Sequence, residues 1–514
     1  MGGEFNRRDF MGTAGVTVAG FAVASGYSPL TYGQNSKIRV GCIGVGCQGS
    51  FHIREGLAKN DVFQITAISD VYSPNQQMAL KLAQISNAKV YLAEGGKLTE
   101  EQRAAALAQP APPVYYDYRE MLEKAGVDAV VVSTPPGTHA KIVMDALDAG
   151  KFVFCESAMV ISVEEGRAII QKCHDLNRWV QVGHQRRHNP KYNLAVKMAR
   201  GQGDIGRITR ISAQWHRNQQ WRRPVPKDYM LNDEEKKHIT DLERHLNWRL
   251  YDEISGGLYT RLMTHQADIA NWFLGTLPSR VYAEGGLDYW RDGRAVDDNL
   301  VAVFKYDLKP GVPGFRAIKP RTALMDKTSA NRPYSVRFVN SILLDNHKLG
   351  CSEVVYGDEG TLELTESACR WYLEEEAAVE NKRKALGKWE QSMKKRGMQN
   401  TVEWIGLQTW ATADPWGLEF SKTGLDVLIA CNELKTPDTY QFGAFADCIQ
   451  NGGVPRSNQM VGYTAALTAI AVRMSRESGG PVDIDPAWHT FDFEVPSFHD
   501  YDDSWRGEEY KPPS

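Results

Sequence analysis

Ile38-Arg39-Val40-Gly41-Cys42-Ile43 runs straight into Gly44-Val45-Gly46-Cys47-Gln48-Gly49, after which residues 50–58 read as a helix. The first six residues are a mostly apolar strand, and the next six spell G-x-G-x-x-G between that strand and the helix. In this setting glycines permit a tight turn and let backbone N–H groups approach a pyrophosphate held at a helix N-terminus. Gly44, Gly46, Cys47, Gln48 and Gly49 are therefore the expected diphosphate contacts. A second strand, Phe63–Ser69, ends in Asp70, whose carboxylate would accept hydrogen bonds from an adenosine ribose. The same charge would repel a 2′-phosphate, so NAD is expected over NADP unless a nearby cation reverses the preference.

Outward from this pair, strands and helices alternate. Helix Tyr118–Lys124 precedes a strand at 129–133, the turn Thr134-Pro135-Pro136-Gly137-Thr138-His139, a helix at 140–149 and the strand Phe152–Cys155. Such alternation predicts an α/β fold with a doubly wound parallel sheet. Ligands in these sheets lie at the carboxyl ends of the strands, which places Thr134, Pro135, His139 and Glu156 beside the nicotinamide half of the cofactor. Residues 86–113, with Gly95-Gly96-Lys97 and Pro110-Ala111-Pro112-Pro113, read as a surface excursion without chemistry.

The 514 residues, 42% of them hydrophobic and 24% charged, suit two or three globular domains. Sixty Lys and Arg are mixed with sixty-three Asp and Glu, giving a net charge of -3 and no basic stripe for a nucleic-acid backbone. The eight cysteines include no C-x-x-C, and Cys42 and Cys155 fall in apolar strands. Most therefore read as buried thiols, not metal ligands or a disulfide framework. At the N-terminus, Asn6-Arg7-Arg8-Asp9-Phe10-Met11 precedes an apolar run over residues 12–24 that is too short to span a bilayer. The paired arginines read as a twin-arginine leader, which hands folded proteins to the Tat export machinery, with Ala22-Val23-Ala24 offering a cleavage site before Ser25. A tethered amphipathic N-terminus is the alternative. The expected location is periplasmic or otherwise extracytoplasmic, with no stable membrane span, and folded export suits a protein that keeps a tightly bound cofactor.

The G-x-G-x-x-G, Asp70, the Thr-Pro-x-x-x-His turn and Cys155-Glu156 before a helix together resemble the glucose-fructose oxidoreductase, inositol dehydrogenase and rhizopine-catabolism family, Gfo/Idh/MocA. The likeness continues through Gln181-Val182-Gly183-His184-Gln185-Arg186-Arg187-His188-Asn189-Pro190, and through Gly256-Gly257 followed by His265 and Asp268. Residues 442–454 and a helix at 463–477 look like the family's closing segment. With the leader and linker taking 1–35, the resemblance implies an NAD-binding Rossmann domain at 36–182 and an α+β domain at 183–485 built on a large open, mainly antiparallel sheet. Residues 366–436, with Glu374-Glu375-Glu376, read as a solvated helical insertion, and 486–514 as a tail. The open sheet implies a homo-oligomer.

Two departures qualify what the resemblance implies. The family's Glu-Lys-Pro is Glu156-Ser157-Ala158 here, so the lysine that would orient substrate and nicotinamide is absent. The acidic position of the family's Gly-Gly-x-x-x-Asp-x-x-x-His helix is Arg261, while His265 stays in register. Hydride transfer from an alcohol needs a base for the hydroxyl proton, and an imidazole with a pKa near ~6.5 suits the task. His265 is the leading base, with a hydrogen-bonded core histidine as the alternative. Arg261, His265 and Asp268 stand at i, i+4 and i+7 and share a helix face, from which Asp268 would orient or charge-stabilise the imidazole. Tyr259 is a second proton carrier to consider, or a packing residue.

Trp215-His216-Arg217-Asn218, Trp221-Arg222-Arg223-Pro224 and Asn247-Trp248-Arg249-Leu250-Tyr251 concentrate indoles and cations. Such groups fit a sugar, with the indole on the apolar ring face and Arg or Asn reading hydroxyls, or they anchor a core or subunit interface. Arg186, Arg187, Trp221, Arg222, Trp248, Arg249 and Arg261 are the candidate substrate contacts, and Gln185 a cofactor contact. Three functions follow: an NAD-dependent oxidoreductase acting on a sugar, sugar derivative or cyclitol; a glycosidase using retained NAD in an oxidation and elimination cycle; or a non-catalytic sugar- or cofactor-binding relative.

Overall fold

The computed structural model describes residues 37–89, 98–202, 205–317, 330–365, 369–373, 424–426 and 436–500. The leader, the Glu374–376 run and the end of the tail from 501 lie outside the described residues. Six parallel strands form the first sheet: β1 (Ile38–Ile43), β2 (Phe63–Ser69), β3 (Val114–Tyr115), β4 (Ala129–Val132), β5 (Phe152–Cys155) and β6 (Val180–Val182), in the order β3-β2-β1-β4-β5-β6. β4 and β5 are buried at every residue, as strands covered on both faces require. Register decides where the site lies. Ile43 pairs with Ser69 and with Val132, and Val132 with Cys155, so the glycine loop, Asp70, Thr134 and Glu156 all emerge at one edge of the sheet.

The second sheet contains β7 (Ile208–His216), β8 (Arg280–Gly286), β9 (Asn299–Leu308), β10 (Tyr334–Leu343), β11 (Cys351–Gly357), β12 (Gly360–Leu364), β13 (Cys369–Leu373), β14 (Gly424–Asp426) and β15 (Val482–Asp483). Its order is β14-β13-β12-β11-β7-β10-β9-β8-β15, and only the β10–β7 pairing is parallel. The stretch expected as a helical insertion contributes β13 and β14 to this sheet, and its remainder lies outside the described residues.

Two late helices join the layers. Pro437–Asn451 packs on the nucleotide sheet, where Phe442 stacks on Phe154 at 4.6 Å and Phe445 on Phe63 at 6.3 Å. A Cβ on Gly56 would stand 2.3 Å from the Phe442 ring, so this contact requires glycine. Gln459–Ser478 is buried along most of its length and reaches both sheets, with Gly462 against Val182 of β6 and Ser475 Oγ accepting from Ala283 N of β8 at 3.0 Å. Among the described residues no helix is long and apolar enough to cross a membrane.

Candidate active site

The glycine loop closes on itself. Gly44 has φ +76, and a Cβ on Gly49 would stand 2.1 Å from the Gly44 carbonyl oxygen. Only glycine tolerates either position. The helix after the loop starts at Cys47, earlier than its sequence suggests, and widens into a π turn over His52–Leu57. Asp70 holds the loop in place: its Oδ2 accepts from Val45 N at 2.8 Å and its Oδ1 from Tyr72 N at 2.9 Å. Burial pushes the Asp70 carboxyl up, and the amides of Tyr72 and Val45 oppose that shift.

At the carboxyl end of β5, Glu156 sits in a dense set of donors. Its Oε1 is 2.6 Å from His52 Nε2 and accepts from Gln48 Nε2 at 3.1 Å, while Oε2 accepts from Ser157 N at 2.8 Å. His52 is wholly buried, and its other nitrogen lies 3.4 Å from Asp438 of the late helix Pro437–Asn451. Burial opposes charge on the imidazole, but hydrogen bonds to Asp438 and Glu156 outweigh it and raise His52 to about 9. Desolvation likewise opposes the Glu156 charge, yet His52 and the nearby polar groups hold the carboxyl at about 2. The result is a carboxylate–imidazolium–carboxylate chain, buried at its imidazole and half-buried at its two carboxylates, that ties the glycine-loop helix, β5 and the helix Pro437–Asn451 together.

His265 reaches the same place from the second domain. Its Nε2 stands 3.1 Å from Ser157 Oγ, and its Nδ1 is buried without a hydrogen-bond partner among the described residues. Desolvation, followed by the neighbouring His184 and Arg186, drives its pKa well below the usual range. Arg261, one helical turn earlier, places its guanidinium 4.6 Å from the Trp248 ring and 5.4 Å from that of Trp221.

These groups line a single cleft of about 890 Å³. It runs from Gly44, Gly46, Cys47, Gln48 and Asp70, past Thr134 and Pro135, to Glu156, Ser157 and Gln185, and then to Trp248, Arg249, Arg261 and His265. A glycine cradle that a Cβ would fill, a carboxylate at the end of β2 and an elongated opening fit a dinucleotide. Gly49 supports the turn from inside and does not line the cleft.

Several expected site residues are elsewhere, each because a buried charge or polar group has found a partner. Asp268 does not orient His265; both its oxygens accept from Arg187, at 2.7 to 3.0 Å, and both side chains are 1% exposed. Arg187 is thereby excluded from substrate contact. Arg186 faces Glu353 at 3.4 Å and donates to Cys351 Sγ, away from the cleft. Tyr259 is buried with its hydroxyl on Asp252 at 3.2 Å, so it carries no proton to this site. His139 pins the Thr134 turn from behind, its nitrogens 2.7 Å from Thr134 O and 2.8 Å from Ala158 O. Arg222 is paired with Glu243 and Asp292, and Trp221 meets the site only through Arg261. Sequence reasoning missed His52 and Asp438, and it did not select Arg217 or Arg223, both of which line the cleft. His52 lies three positions past Gly49, but nothing local to it signals a partner at Asp438.

Residues 38–184 match the oxidoreductase family GFO_IDH_MocA, NAD-binding Rossmann fold, and residues 194–312 match the GFO/IDH/MocA C-terminal domain. The chain is 32% identical over 218 residues to inositol 2-dehydrogenase/D-chiro-inositol 3-dehydrogenase of Shouchella clausii, covering 42% of this chain and 54% of that protein. It is 24% identical over 254 residues to the uncharacterized oxidoreductase YrbE of Bacillus subtilis, covering 49% of this chain and 58% of that one. The chain thus spans about half the length of the curated relatives it matches. Among solved structures, levoglucosan dehydrogenase in complex with NADH and levoglucosan shares the fold at a TM-score of 0.56 and 18% identity, over 87% of this chain and 99% of that one. The WlbA dehydrogenase from Bordetella pertussis, in complex with NADH and UDP-GlcNAcA, does so at 0.55 and 17%, over 88% and 99%. With both its domains matched, over more than half of its residues, the chain belongs to the Gfo/Idh/MocA oxidoreductase family.

Proposed function

We infer that this protein is an NAD-dependent oxidoreductase that passes hydride between nicotinamide and a hydroxyl of a sugar, sugar derivative or cyclitol. The observation that carries the reading is the 3.1 Å approach of His265 Nε2 to Ser157 Oγ, in the same cleft as the glycine loop. Bound NAD would supply a hydride acceptor; Gly44, Gly46, Cys47, Gln48 and Asp70 are the residues that would hold it. Burial and the neighbouring His184 and Arg186 keep His265 unprotonated, so a ring nitrogen lone pair is available to accept from Ser157 Oγ. Ser157 Oγ accepts the substrate's hydroxyl proton as it donates its own to Nε2, so the serine that replaces the family lysine relays a proton in place of supplying a charge. Glu156 fixes Ser157 through its backbone amide. Its Oε2 also lies 3.4 Å from Ser157 Oγ, farther than His265 Nε2 at 3.1 Å, so the histidine is the nearer acceptor for the hydroxyl proton.

The test is the nicotinamide absorbance of purified protein mixed with NAD and a panel of sugars and cyclitols. A substrate-dependent rise supports hydride transfer, and its absence across the panel overturns it. The glycosidase alternative keeps one observation in its favour. The segment around helix Asp233–His238 reaches over the nucleotide end, where Glu235 Oε1 accepts from Ser73 N at 2.8 Å and Asn232 Nδ2 donates to Ser73 Oγ at 3.0 Å. A strap of this kind would hinder cofactor exchange, as a self-regenerating cycle needs. Aglycone release from a glycoside without net NAD reduction is its signature.

Export rests on Arg7-Arg8 and the apolar run that follows. Arg7→Lys combined with Arg8→Lys should hold the protein in the cytoplasm, as read by cell fractionation. Self-association through the second sheet is supported by Tyr282, Val301 and Val303, which are 44%, 48% and 39% exposed on the adjacent strands β8 and β9.

A further inference from the structure

Four arginines, Arg217, Arg223, Arg249 and Arg261, line the substrate end of the cleft. Away from the cleft, arginines of the second domain find carboxylates: Arg187 has Asp268, Arg222 has Glu243 and Arg294 has Asp292, and Arg244, which does line the cleft, has Glu253. None of the four in the cleft meets a carboxylate among the described residues, and the Nε of Arg261 is buried with no partner. Glu156, the acidic group whose charge acts on Arg261, is already committed to His52, Gln48 and Ser157. The cost of this arrangement is visible. Burial, and then the charge of Arg249, drive Arg261 well below its usual range; Arg217 and Arg223 add to the effect, and Glu156 only partly opposes it. Burial and Arg223 lower Arg249 to about 10.

Uncompensated like charges in a partly buried cleft destabilise the protein unless a ligand neutralises them. The indoles hold the guanidiniums in position for such a ligand. Arg261 and Arg249 stand 4.6 and 4.4 Å from the ring of Trp248, and Arg217 stands 5.0 Å from the ring of Trp215. Stacking fixes the guanidinium planes and leaves their N–H edges to meet the two oxygens of an oxyanion. Arg261 precedes His265 by one helical turn, roughly 5–6 Å between Cβ atoms, which is the breadth of a sugar ring.

We propose that the sugar this cleft takes is anionic, carrying a carboxylate or sulfate that Arg261 grips, with Arg217, Arg223 and Arg249 around it, while a hydroxyl across the same ring faces His265 and Ser157. The proposal deepens the oxidoreductase reading and rests on it for the word substrate; the binding claim stands on the arginines alone.

Isothermal titration of the NAD-saturated full chain separates the outcomes. The probes are glucuronate, galacturonate and glucose 6-sulfate, each against glucose or galactose at equal ionic strength. At least tenfold tighter binding of a charged sugar is expected, with the best of the three probes telling carboxylate from sulfate. Arg261→Gln should abolish that preference while leaving NAD affinity within about twofold. Should that variant fail to fold by circular dichroism, Arg217→Gln is expected to reduce the preference instead. Equal binding of charged and neutral sugars, or binding of neither, overturns the proposal. So does an Arg261→Gln variant that keeps the preference and loses NAD, because the cluster would then serve the dinucleotide's diphosphate. Tight uronate binding with no NAD reduction by any sugar or cyclitol of the panel would sink the oxidoreductase reading and leave this one standing, whereas a neutral sugar that reduces NAD with no anion preference would do the reverse.

Discussion

At the nucleotide end of the cleft the acidic side chains are satisfied by the protein itself: Asp70 accepts from the backbone of Val45 and Tyr72, and Glu156 lies among His52, Gln48 and Ser157. At the substrate end Arg217, Arg223, Arg249 and Arg261 carry charge with no acidic partner among the described residues. The first end is finished before any ligand arrives, and its hydrogen bonds shape a generic cradle. The second is left electrically incomplete, which lowers stability and makes discrimination between ligands a matter of charge.

The contrast is broken most directly at the base. His265→Ala should lower kcat by about 10²–10⁴-fold, as loss of a general base does, with NAD affinity unchanged by equilibrium titration. A parallel loss of NAD binding would mean that the two ends are not separable. Next in size is His52→Ala, which leaves the partly buried Glu156 and Asp438 without their shared cation and should cost about 1–3 kcal/mol in denaturant unfolding. Arg217→Ala, which removes no carboxylate's partner, should cost far less or even stabilise.

The same chain of charges gives a pH signature. His52 is raised to about 9, so its contribution is complete below the unfolded value near ~6.5 and is lost as pH climbs through 9. Glu156 is lowered to about 2, so its contribution is complete above roughly ~4.3 and is lost as pH falls toward 2. The melting temperature should therefore peak between these limits, and His52→Gln should flatten the alkaline decline. An unchanged profile in that variant would deny the imidazole its charge. A small effect on stability belongs to Ser157→Ala, where loss of one hydrogen bond to His265 is worth about 1 kcal/mol in denaturant unfolding, while kcat should fall about as far as in His265→Ala because the proton relay is cut.

Much of the fold was legible because its signals are local. β1, β2, β5 and the helix Tyr118–Lys124 begin and end where the apolar runs and turn residues predict. The glycine loop and His265 were readable for the same reason: one is a backbone requirement and the other a fixed spacing from Gly256-Gly257. What was not readable depends on partners distant in sequence. Asp268 shares spacing with His265, but Arg187 captures it, and spacing alone cannot announce that competition. Arg186, Tyr259, His139 and Arg222 looked like site residues by type and became supports because Glu353, Asp252, the Ala158 carbonyl and Glu243 lie beside them. His52 and Asp438 show the converse, an ion pair invisible from either end.

The position of Asp438, Phe442 and Phe445 on the helix Pro437–Asn451 bears on how the protein is born. A ribosome that has emitted residues 38–184 has made every strand of the first sheet, yet the rings that seal Phe63 and Phe154 are still unsynthesised. The nascent nucleotide domain must wait, with an oily face open to water and a histidine lacking one of its two counter-ions, until the helix Pro437–Asn451 has been made. Loading of the dinucleotide is accordingly a late event, and polypeptides released early should be prone to clump.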